Sequence, residues 1–416
     1  MAGAQVGIAG AEKTPENRAK LFKEAITSYD EYLAKFKESK SRGDALYGKA
    51  SAQYQSDDLE GAEKTLRQFK KEAIKSSLET EANYLFARVM ASQARKFLGD
   101  KKSPEAQASA KLRIDEAQKL FEDVSKNQKS LALANNALLS AGDIFAGAEQ
   151  YDVALSYLRR IKPNELIIEQ QKEIVEQLRL KRAKALGAGN RPMADEIKRE
   201  YDRENRRLDG LIAGRSDYLV AQILASQCYY AQKKMDEVLV LNQHFMPHFD
   251  MDQKKTGKFF IIMAWIGKKD IARSIENYQD FKKLYPKDKV AEGAPAAIVQ
   301  LYLDLKKDEE ALKWCDEYLT DFPDKGAYEE QILFYKANIL TSLGKLEEAE
   351  KATKEFIKKY PDSDLATQAI FLQAETAYKK KDYDAAIRSF REYIEKTKKG
   401  SERVPYAAYY IALICQ

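Results

Sequence analysis

The side chains best suited to bind a metal or to act as a nucleophile are scarce in this sequence. Its two histidines, His244 and His248, stand four residues apart in "HFMPHF", a spacing that places two zinc ligands on one face of a helix. Pro247 lies between them and would interrupt that helix, and no third ligand is apparent nearby. The three cysteines are far apart in apolar contexts, without disulfide or metal-ligand spacing. We therefore expect no metal site and no cofactor.

Other catalytic patterns are equally weak. The carboxylate pairs Glu309–Glu310 and Glu347–Glu348 fall at turns or helix starts, where acidic residues favour the helix dipole. "GAGNRP" has neither the lysine nor the preceding strand of a phosphate-binding loop, and no G-x-S-x-G elbow occurs. The sequence therefore predicts a protein that is not an enzyme.

Composition favours exposed amphipathic helices. Of 416 residues, 32% are charged and 10% are aromatic, and there are 10 prolines. The net charge is +5, which is small for this length and lacks the basic excess of a polyanion-binding protein. The longest apolar run, "FFIIMAWI", is too short to span a bilayer, and the N-terminus lacks the apolar core of a signal peptide.

Pairs of small residues twelve positions apart recur along the chain. Two antiparallel helices approach closely only where small side chains meet, so each pair predicts a helical hairpin. The strict pairs are Ala50 and Ala62, Gly142 and Ala154, Ala337 and Ala349, and Ala374 and Ala386. The looser pairs are Ser226 and Val238, Ile262 and Ser274, and Val299 and Ala311. Large apolar residues usually follow four and seven positions after the second member, as on the buried face of a helix.

Prolines mark the ends of three second helices, in "LYP", "DFP" and "KYP". They are Pro286, Pro323 and Pro361, at intervals of 37 and 38 residues. A proline just past a helix prevents the helix from continuing. A fixed period in this range is typical of a solenoid built from helix hairpins.

These residues resemble the tetratricopeptide repeat family. "YDAAIRSFREYI", "YDVALSYLRRI" and "LEEAEKATKEFIKKYP" are similar to its second helix, and "QAETAYKKKDY" to the end of its first helix and its turn. "KKYPDSDLATQA" is similar to junctions in bacterial envelope members of the Tol-Pal-associated coordinator and outer-membrane assembly lipoprotein type. The resemblance is strongest from about Asp217 onward and fair over 44–73 and 131–162. It implies an all-α superhelical solenoid of antiparallel helix hairpins.

Two segments depart from the repeat. Residues 97–117 contain Gly99 and Pro104 and predict a turn that is about a dozen residues too long, as in a plain insertion or a functional loop. Residues 163–214 predict one long hairpin, with two helices of about twenty residues on either side of "GAGNRP". Its basic residues alternate with acids, which favours a solvated face over a docking surface for an acidic partner.

The patterns predict four segments. They are an N-terminal tail at 1–16, an N-terminal repeat arm at 17–162, the long charged hairpin at 163–214, and a C-terminal repeat arm at 215–416 that ends within a repeat. The last stretch, "VPYAAYYIALICQ", opens a helix with no second helix to cover its apolar face. We therefore expect the sequence to be a fragment of a longer protein.

The resemblance also implies where a partner binds. First helices of stacked hairpins line a concave face, and its groove-facing positions lie three before and one after the small residue of each first helix. The candidates are Tyr47, Phe259, Met263, Phe334, Asn338, Phe371 and Glu375. They do not match the Lys/Asn/Arg clamp with which the chaperone-binding branch of the family holds a terminal carboxylate. The alternative for the aromatic members is that they belong to the core between helices.

We accordingly expect a non-catalytic scaffold for protein–protein interaction that binds a peptide or protein segment in a concave groove. Fold-family analogy alone suggests a bacterial envelope or periplasmic location, with a cytoplasmic one left open. A protein partner is expected and nucleic acid is not, because the charge is balanced and the groove positions lack repeated polar readers. The alternatives are an interaction domain of a larger enzyme and an RNA-binding helical repeat protein.

Overall fold

The computed structural model describes residues 14–72, 76, 78–99, 103–127, 130–323, 326–397 and 402–416. Across these residues it contains twenty α-helices, a short 3-10 helix at Lys289–Ala291 and no strand. The predicted all-α class of helix hairpins is confirmed. Residues 1–13 of the predicted N-terminal tail lie outside the described residues. Internal contacts divide the chain into two compact units, Met1–Gln232 and Lys233–Gln416.

The helices of the first unit pack in sequence order, each against the next, except around the long hairpin. In the described ranges they are α1 (Pro15–Lys35), α2 (Arg42–Gln55), α3 (Leu59–Lys71), α4 (Glu79–Leu98), α5 (Pro104–Ser125), α6 (Leu131–Gly147), α7 (Tyr151–Leu158), α8 (Asn164–Gly187), α9 (Arg191–Ala213) and α10 (Asp217–Ala231).

The helices of the second unit form the same kind of sequential array. Those described are α11 (Met235–Phe245), α12 (Met251–Gly267), α13 (Ile271–Leu284), α14 (Gly293–Asp304), α15 (Asp308–Asp321), α16 (Glu329–Ser342), α17 (Leu346–Lys359), α18 (Ala366–Lys379), α19 (Tyr383–Lys396) and α20 (Val404–Ile414). None of the helices in the described ranges is long and apolar enough to cross a membrane.

Six of the seven predicted small-residue pairs lie in the core of a hairpin, and the seventh, Ser226 and Val238, lies on helices of different units. Both members of every strict and looser pair are buried. Gly142 on α6 shows why: a Cβ atom placed there would stand 2.5 Å from Leu158 Cδ2 and 3.6 Å from the carbonyl oxygen of Ala154 on α7. The two helices are therefore close enough that only a hydrogen atom fits at this crossing.

The helix ends before the three prolines share one conformation. Tyr285, Phe322 and Tyr360 leave the helical region with φ of −136°, −127° and −127°, because a following proline disfavours helical geometry at the residue before it. Each ring packs on the aromatic ring four residues earlier, with centroids 5.1, 5.4 and 5.6 Å apart. These stop signals therefore close the hairpin core as well as ending the helix.

A residue in the left-handed region occurs in the turn of most hairpins. These residues are Asp57, Glu149, Gly189, Lys269, Lys306, Gly344 and Lys381, with φ between 55° and 74°. A left-handed residue at a helix end reverses the chain within a short turn, and glycine adopts this conformation at the lowest cost. The lysines in these turns therefore adopt a strained backbone conformation, which glycine would adopt at a lower cost.

The long hairpin of α8 and α9 has its own small core. Leu178 and Ala185 on α8 pack with Ala194 and Ile197 on α9. The next helix, α10, packs directly on α6 and α7. The long hairpin is therefore an insertion between helices that stack on each other without it.

The prediction of an overlong turn at 97–117 was wrong. Helix α4 continues to Leu98 and α5 begins at Pro104, so the additional residues lengthen the two helices. Ser103 caps α5 by accepting a hydrogen bond from the backbone N–H of Ala106 at 3.1 Å. Proline in the first turn begins a helix, and that role explains Pro104.

Candidate functional site

A cleft of about 300 Å³ lies between α16, α18 and α20 in the second unit. Helix α16 contributes two side chains to its lining, α18 contributes four, and α20 with the residue before it contributes three. The lining residues are Phe334, Asn338, Gln368, Phe371, Leu372, Glu375, Arg403, Tyr406 and Tyr410.

Helical spacing explains why these side chains face one opening. Phe334 and Asn338 are four residues apart on α16, and the four lining residues of α18 occupy positions 368, 371, 372 and 375. Tyr406 and Tyr410 are four residues apart on α20. Each set forms a single stripe along its helix. The cleft is the space that the three stripes enclose.

Phe371 lines the cleft and also belongs to the hydrophobic core. Its side chain is 5% exposed, and its ring centroid lies 5.6 Å from that of Phe390 and 5.0 Å from that of Tyr393 on α19. The guanidinium of Arg403 lies over the same ring, 5.5 Å from its centroid, in a cation–π contact. This burial supports the core interpretation for most of the Phe371 ring.

The α16 side of the cleft combines a ring and an amide. Phe334 is partly buried, with its ring centroid 5.8 Å from that of Phe356 on α17. Asn338, one turn later, is exposed. Its amide can both donate and accept hydrogen bonds, as an extended peptide backbone requires.

Glu375 is the acidic residue of the cleft. Its side chain is partly buried, and no described residue hydrogen-bonds or ion-pairs with its carboxylate. Burial raises the pKa of the Glu375 carboxyl above its usual range, and the positive charges of Lys379 and Arg403 partly oppose that rise. Among the described residues, no positively charged group therefore contacts the Glu375 carboxylate in the cleft.

Tyr410 connects the cleft to the core. Its ring stacks on that of Phe390, with centroids 5.2 Å apart, and lies 5.0 Å from that of Tyr378. Burial raises the pKa of the Tyr410 hydroxyl, and the charge of Glu375 adds to the effect. Tyr406, one turn earlier, is 63% exposed. Helix α20 thus presents one packed ring and one accessible ring.

The cleft brings together four of the seven predicted groove residues, those on α16 and α18. The other three lie elsewhere. Phe259 and Met263 on α12 are partly buried and pack against the core cluster that contains Ile262. Tyr47 on α2 belongs to the first unit, where burial raises its pKa.

Five lining residues were not predicted: Gln368, Leu372, Arg403, Tyr406 and Tyr410. Gln368 and Leu372 belong to the same helical stripe as Phe371, so extending that stripe by one turn would have found them. The tyrosines of α20 have a visible spacing of four residues. The sequence pattern assigned them no role because the small-residue pairs that define the hairpins do not include α20.

The cleft is suited to binding. It offers aromatic surface, two amides, one carboxylate and one guanidinium within a small volume. In the described ranges no group of three or more His, Cys, Asp or Glu side chains is arranged to hold a metal ion.

The profile of the family described as "Tetratricopeptide repeat" matches residues 18–77, 108–165 and 334–408. The third match includes the whole of α18 and α19 and most of the cleft. No curated protein sequence matches the chain at a significant level.

Three solved structures are similar to this chain over nine tenths of its length or more. The P58(IPK) TPR domain has 13% identity and a TM-score of 0.27, covering 90% of this chain and 98% of its own. A Rap protein complexed with competence and sporulation factor has 10% identity and a TM-score of 0.35, covering 91% and 98%. Yeast Tom70 has 14% identity and a TM-score of 0.31, covering 100% and 95%. TM-scores this low mean that whole chains superpose poorly, so nothing about partners is transferred from them.

Repeats of this family support a role as a protein-interaction scaffold and are typical of non-catalytic proteins. The three segments that the profile matches, just under half of the chain, therefore contain tetratricopeptide repeats folded as helix hairpins.

Proposed function

We propose that this chain is a non-catalytic scaffold that binds an extended or helical segment of a protein partner in the cleft between α16, α18 and α20. One observation carries the proposal. Predicted groove residues from two first helices, Phe334 and Asn338 on α16 and Phe371 and Glu375 on α18, line a single opening.

The chemistry of the cleft suits a peptide. Phe334 and the accessible ring of Tyr406 can cover an apolar side chain, and aromatic residues are enriched among the residues that dominate protein interfaces. Asn338 and Gln368 are exposed amides at the same opening and can pair with a peptide backbone. The combination favours a segment that inserts one side chain and lays its backbone across the opening.

Three further parts of the proposal rest on sequence alone. Tyr47, Phe259 and Met263 are proposed as additional partner contacts because they occupy equivalent repeat positions. The four-segment division at 1–16, 17–162, 163–214 and 215–416 is proposed from the patterning.

An envelope location is the third such part, supported by the similarity of "KKYPDSDLATQA" to junctions in bacterial envelope proteins. Fractionation of cells that express the full-length protein tests it. Recovery in the periplasm or with the envelope is expected, and recovery only in the cytoplasm would contradict it.

A display selection tests the binding proposal. Peptides of about twelve residues are selected on the immobilised protein, and their dissociation constants are measured by titration. Asn338→Trp, which fills the cleft from an exposed position, should weaken binding about tenfold or more without changing the thermal melt.

Val240→Trp is the matched control for this test. Val240 is 67% exposed on α11, does not line the cleft and also exchanges one neutral residue for another. It should leave every dissociation constant unchanged. A selection without binders, or binders that Asn338→Trp does not affect, would overturn the proposed function.

A further inference from the structure

We propose that the cleft recognises a cationic side chain, lysine or arginine, of the bound segment, with the Glu375 carboxylate as its counter-charge and the surrounding rings as its walls. This inference rests on the proposed function, since it names the chemistry of the segment that occupies the same cleft. It starts from an acid that the fold leaves without a partner.

The four most deeply buried acids of the described chain are all satisfied. Their four side chains, each at most 8% exposed, belong to Glu204, Glu292, Asp321 and Glu329. Glu329 binds Lys359 Nζ and Tyr360 Oη, both at 2.6 Å, and Asp321 binds Tyr278 Oη at 2.9 Å and Lys282 Nζ at 2.8 Å. Glu292 accepts from Tyr318 Oη at 2.7 Å, and Glu204 pairs with Arg203 at 3.0 Å.

Glu375 departs from this pattern. It is partly buried, and no described residue forms a hydrogen bond or an ion pair with it. Taking a carboxylate out of water without a compensating contact is unfavourable, and a cation that enters the cleft would supply that contact. The fold therefore maintains an acceptor that a partner can satisfy.

The rings around Glu375 favour a cation over a neutral donor. Phe334, Phe371, Tyr406 and Tyr410 line the same opening, and the face of an aromatic ring attracts an ammonium or guanidinium group. The chain already uses this chemistry at the cleft, where the Arg403 guanidinium lies 5.5 Å from the centroid of the Phe371 ring. A lysine or arginine stem would also cover apolar ring surface while its charged end reaches the carboxylate.

An acidic segment fits less well. Arg403 is exposed at the edge of the cleft and could attract a carboxylate. A carboxylate placed deeper would face the like charge of Glu375 in a partly desolvated space, which is repulsive. The charge of Glu375 therefore favours a cation over an anion in the less exposed part of the cleft.

The charged and titratable groups near Glu375 also predict a pH signature. They are Lys379 on α18, Arg403 before α20, and Tyr410 on α20. Burial raises the pKa of the Tyr410 hydroxyl, so the tyrosine stays neutral at and below neutral pH. Between about pH 4 and pH 8, a loss of affinity on acidification would thus report protonation of Glu375.

The test is a double-mutant cycle between the protein and a peptide. The probe is a selected peptide with blocked ends and no acidic or histidine residues, in which each lysine or arginine is replaced in turn by norleucine. On the wild-type protein, one replacement should weaken binding about tenfold or more. On Glu375→Gln the same replacement should change affinity less than about twofold, and the loss of affinity at low pH should disappear.

Glu355→Gln is the matched control, because it removes the same charge from an exposed position on α17 that does not line the cleft. It should bind like the wild-type protein. Each of the three proteins should show one cooperative thermal transition by circular dichroism. The inference would be overturned if the norleucine replacement lowered the affinity for the wild-type protein and for Glu375→Gln by the same factor. So would selected peptides without a cation.

Those two outcomes leave the proposed function standing, provided that Asn338→Trp still blocks the same peptides. Binding that Asn338→Trp does not affect overturns the proposed function and the inference together.

Discussion

At the scale of single residues, Glu375 links stability to binding. Burial raises the pKa of its carboxyl, so the folded state holds this proton more tightly than the unfolded state does. The ionised form therefore lowers the free energy of unfolding. This cost is absent below the ordinary glutamate pKa of about 4.3 and is fully present above the raised folded-state pKa.

We therefore expect Glu375→Gln to be more stable than the wild-type protein at about pH 7, with a difference that vanishes below about pH 4. Urea melts of both proteins at several pH values measure this difference. A variant that is less stable at neutral pH would show that the carboxylate has a favourable partner in the folded protein. A difference that does not change with pH would show that ionisation of Glu375 does not cause it.

Phe334 and Phe371 also differ at this scale, although they hold equivalent positions in consecutive repeats. We expect Phe371→Ala to lower the free energy of unfolding by about 3–5 kcal/mol, because the ring is 5% exposed and packs on Phe390 and Tyr393. Phe334 is only partly buried. Phe334→Ala should cost less stability and weaken a selected peptide by about tenfold.

Denaturant melts and peptide titrations of the two variants decide between these roles. Equal large losses of stability would assign both rings to the core and remove Phe334 from the binding surface. The sequence alone left this choice open, because the core and groove faces of a first helix both carry large apolar residues. Only the distance of each ring from the neighbouring helices distinguishes the core face from the groove face.

At the scale of elements, we expect stability to rise when glycine is introduced at one turn and to fall when glycine is removed from another. Lys381 and Gly344 occupy equivalent turns with φ of 65° and 72°, and a Cβ atom at Gly344 would meet no atom within 4 Å. An exchange between glycine and a residue with a Cβ atom should therefore change stability mainly through backbone strain at both sites. Lys381→Gly should stabilise the protein by about 0.5–1 kcal/mol, and Gly344→Ala should destabilise it by about 1 kcal/mol.

Urea melts at neutral pH measure both changes. Lys380→Gly is the comparison in the right-handed helical region, at the C-cap of α18. It should destabilise the protein, because glycine relieves no strain there and the ion pair of Lys380 with Glu350 is lost. If Lys381→Gly were destabilising, contacts of the lysine side chain would outweigh the strain at this turn.

The sequence predicted those elements whose geometry depends on local sterics. The crossing at Gly142 and the helix ends before Pro286, Pro323 and Pro361 follow from side-chain size and proline geometry alone. The prediction of a long turn at 97–117 was wrong because proline in a first turn begins a helix, as Pro104 does in α5.

The cleft was predicted only where the repeat register applies. That register located the α16 and α18 residues, but Arg403, Tyr406 and Tyr410 face the cleft because α20 packs back on α18 and α19. The family profile also omits 166–333, where Ile262 and Val299 replace the small residue of two first helices. Packing there tolerates larger side chains than the family pattern has.

At the scale of the whole molecule, we expect stability to come from helix packing alone. Cys228 and Cys315 are buried, and burial raises their pKa values to about 11 and about 12, while Cys415 is exposed. Thermal melts with EDTA or dithiothreitol should therefore agree with the untreated protein within about 1 °C. A shift of many degrees would reveal a metal site or a disulfide. Iodoacetamide should label Cys415 much faster than the two buried thiols.

Photo-crosslinking shows directly whether a partner segment lies in the cleft between α16, α18 and α20. A benzophenone amino acid is placed at Asn338 inside the cleft or at Val240 outside it, and each protein is mixed with a selected peptide. We expect a crosslink from position 338 that excess unlabelled peptide abolishes, and none from position 240. A competed crosslink from position 240 with none from position 338 would mean that the binding surface lies elsewhere on the repeats.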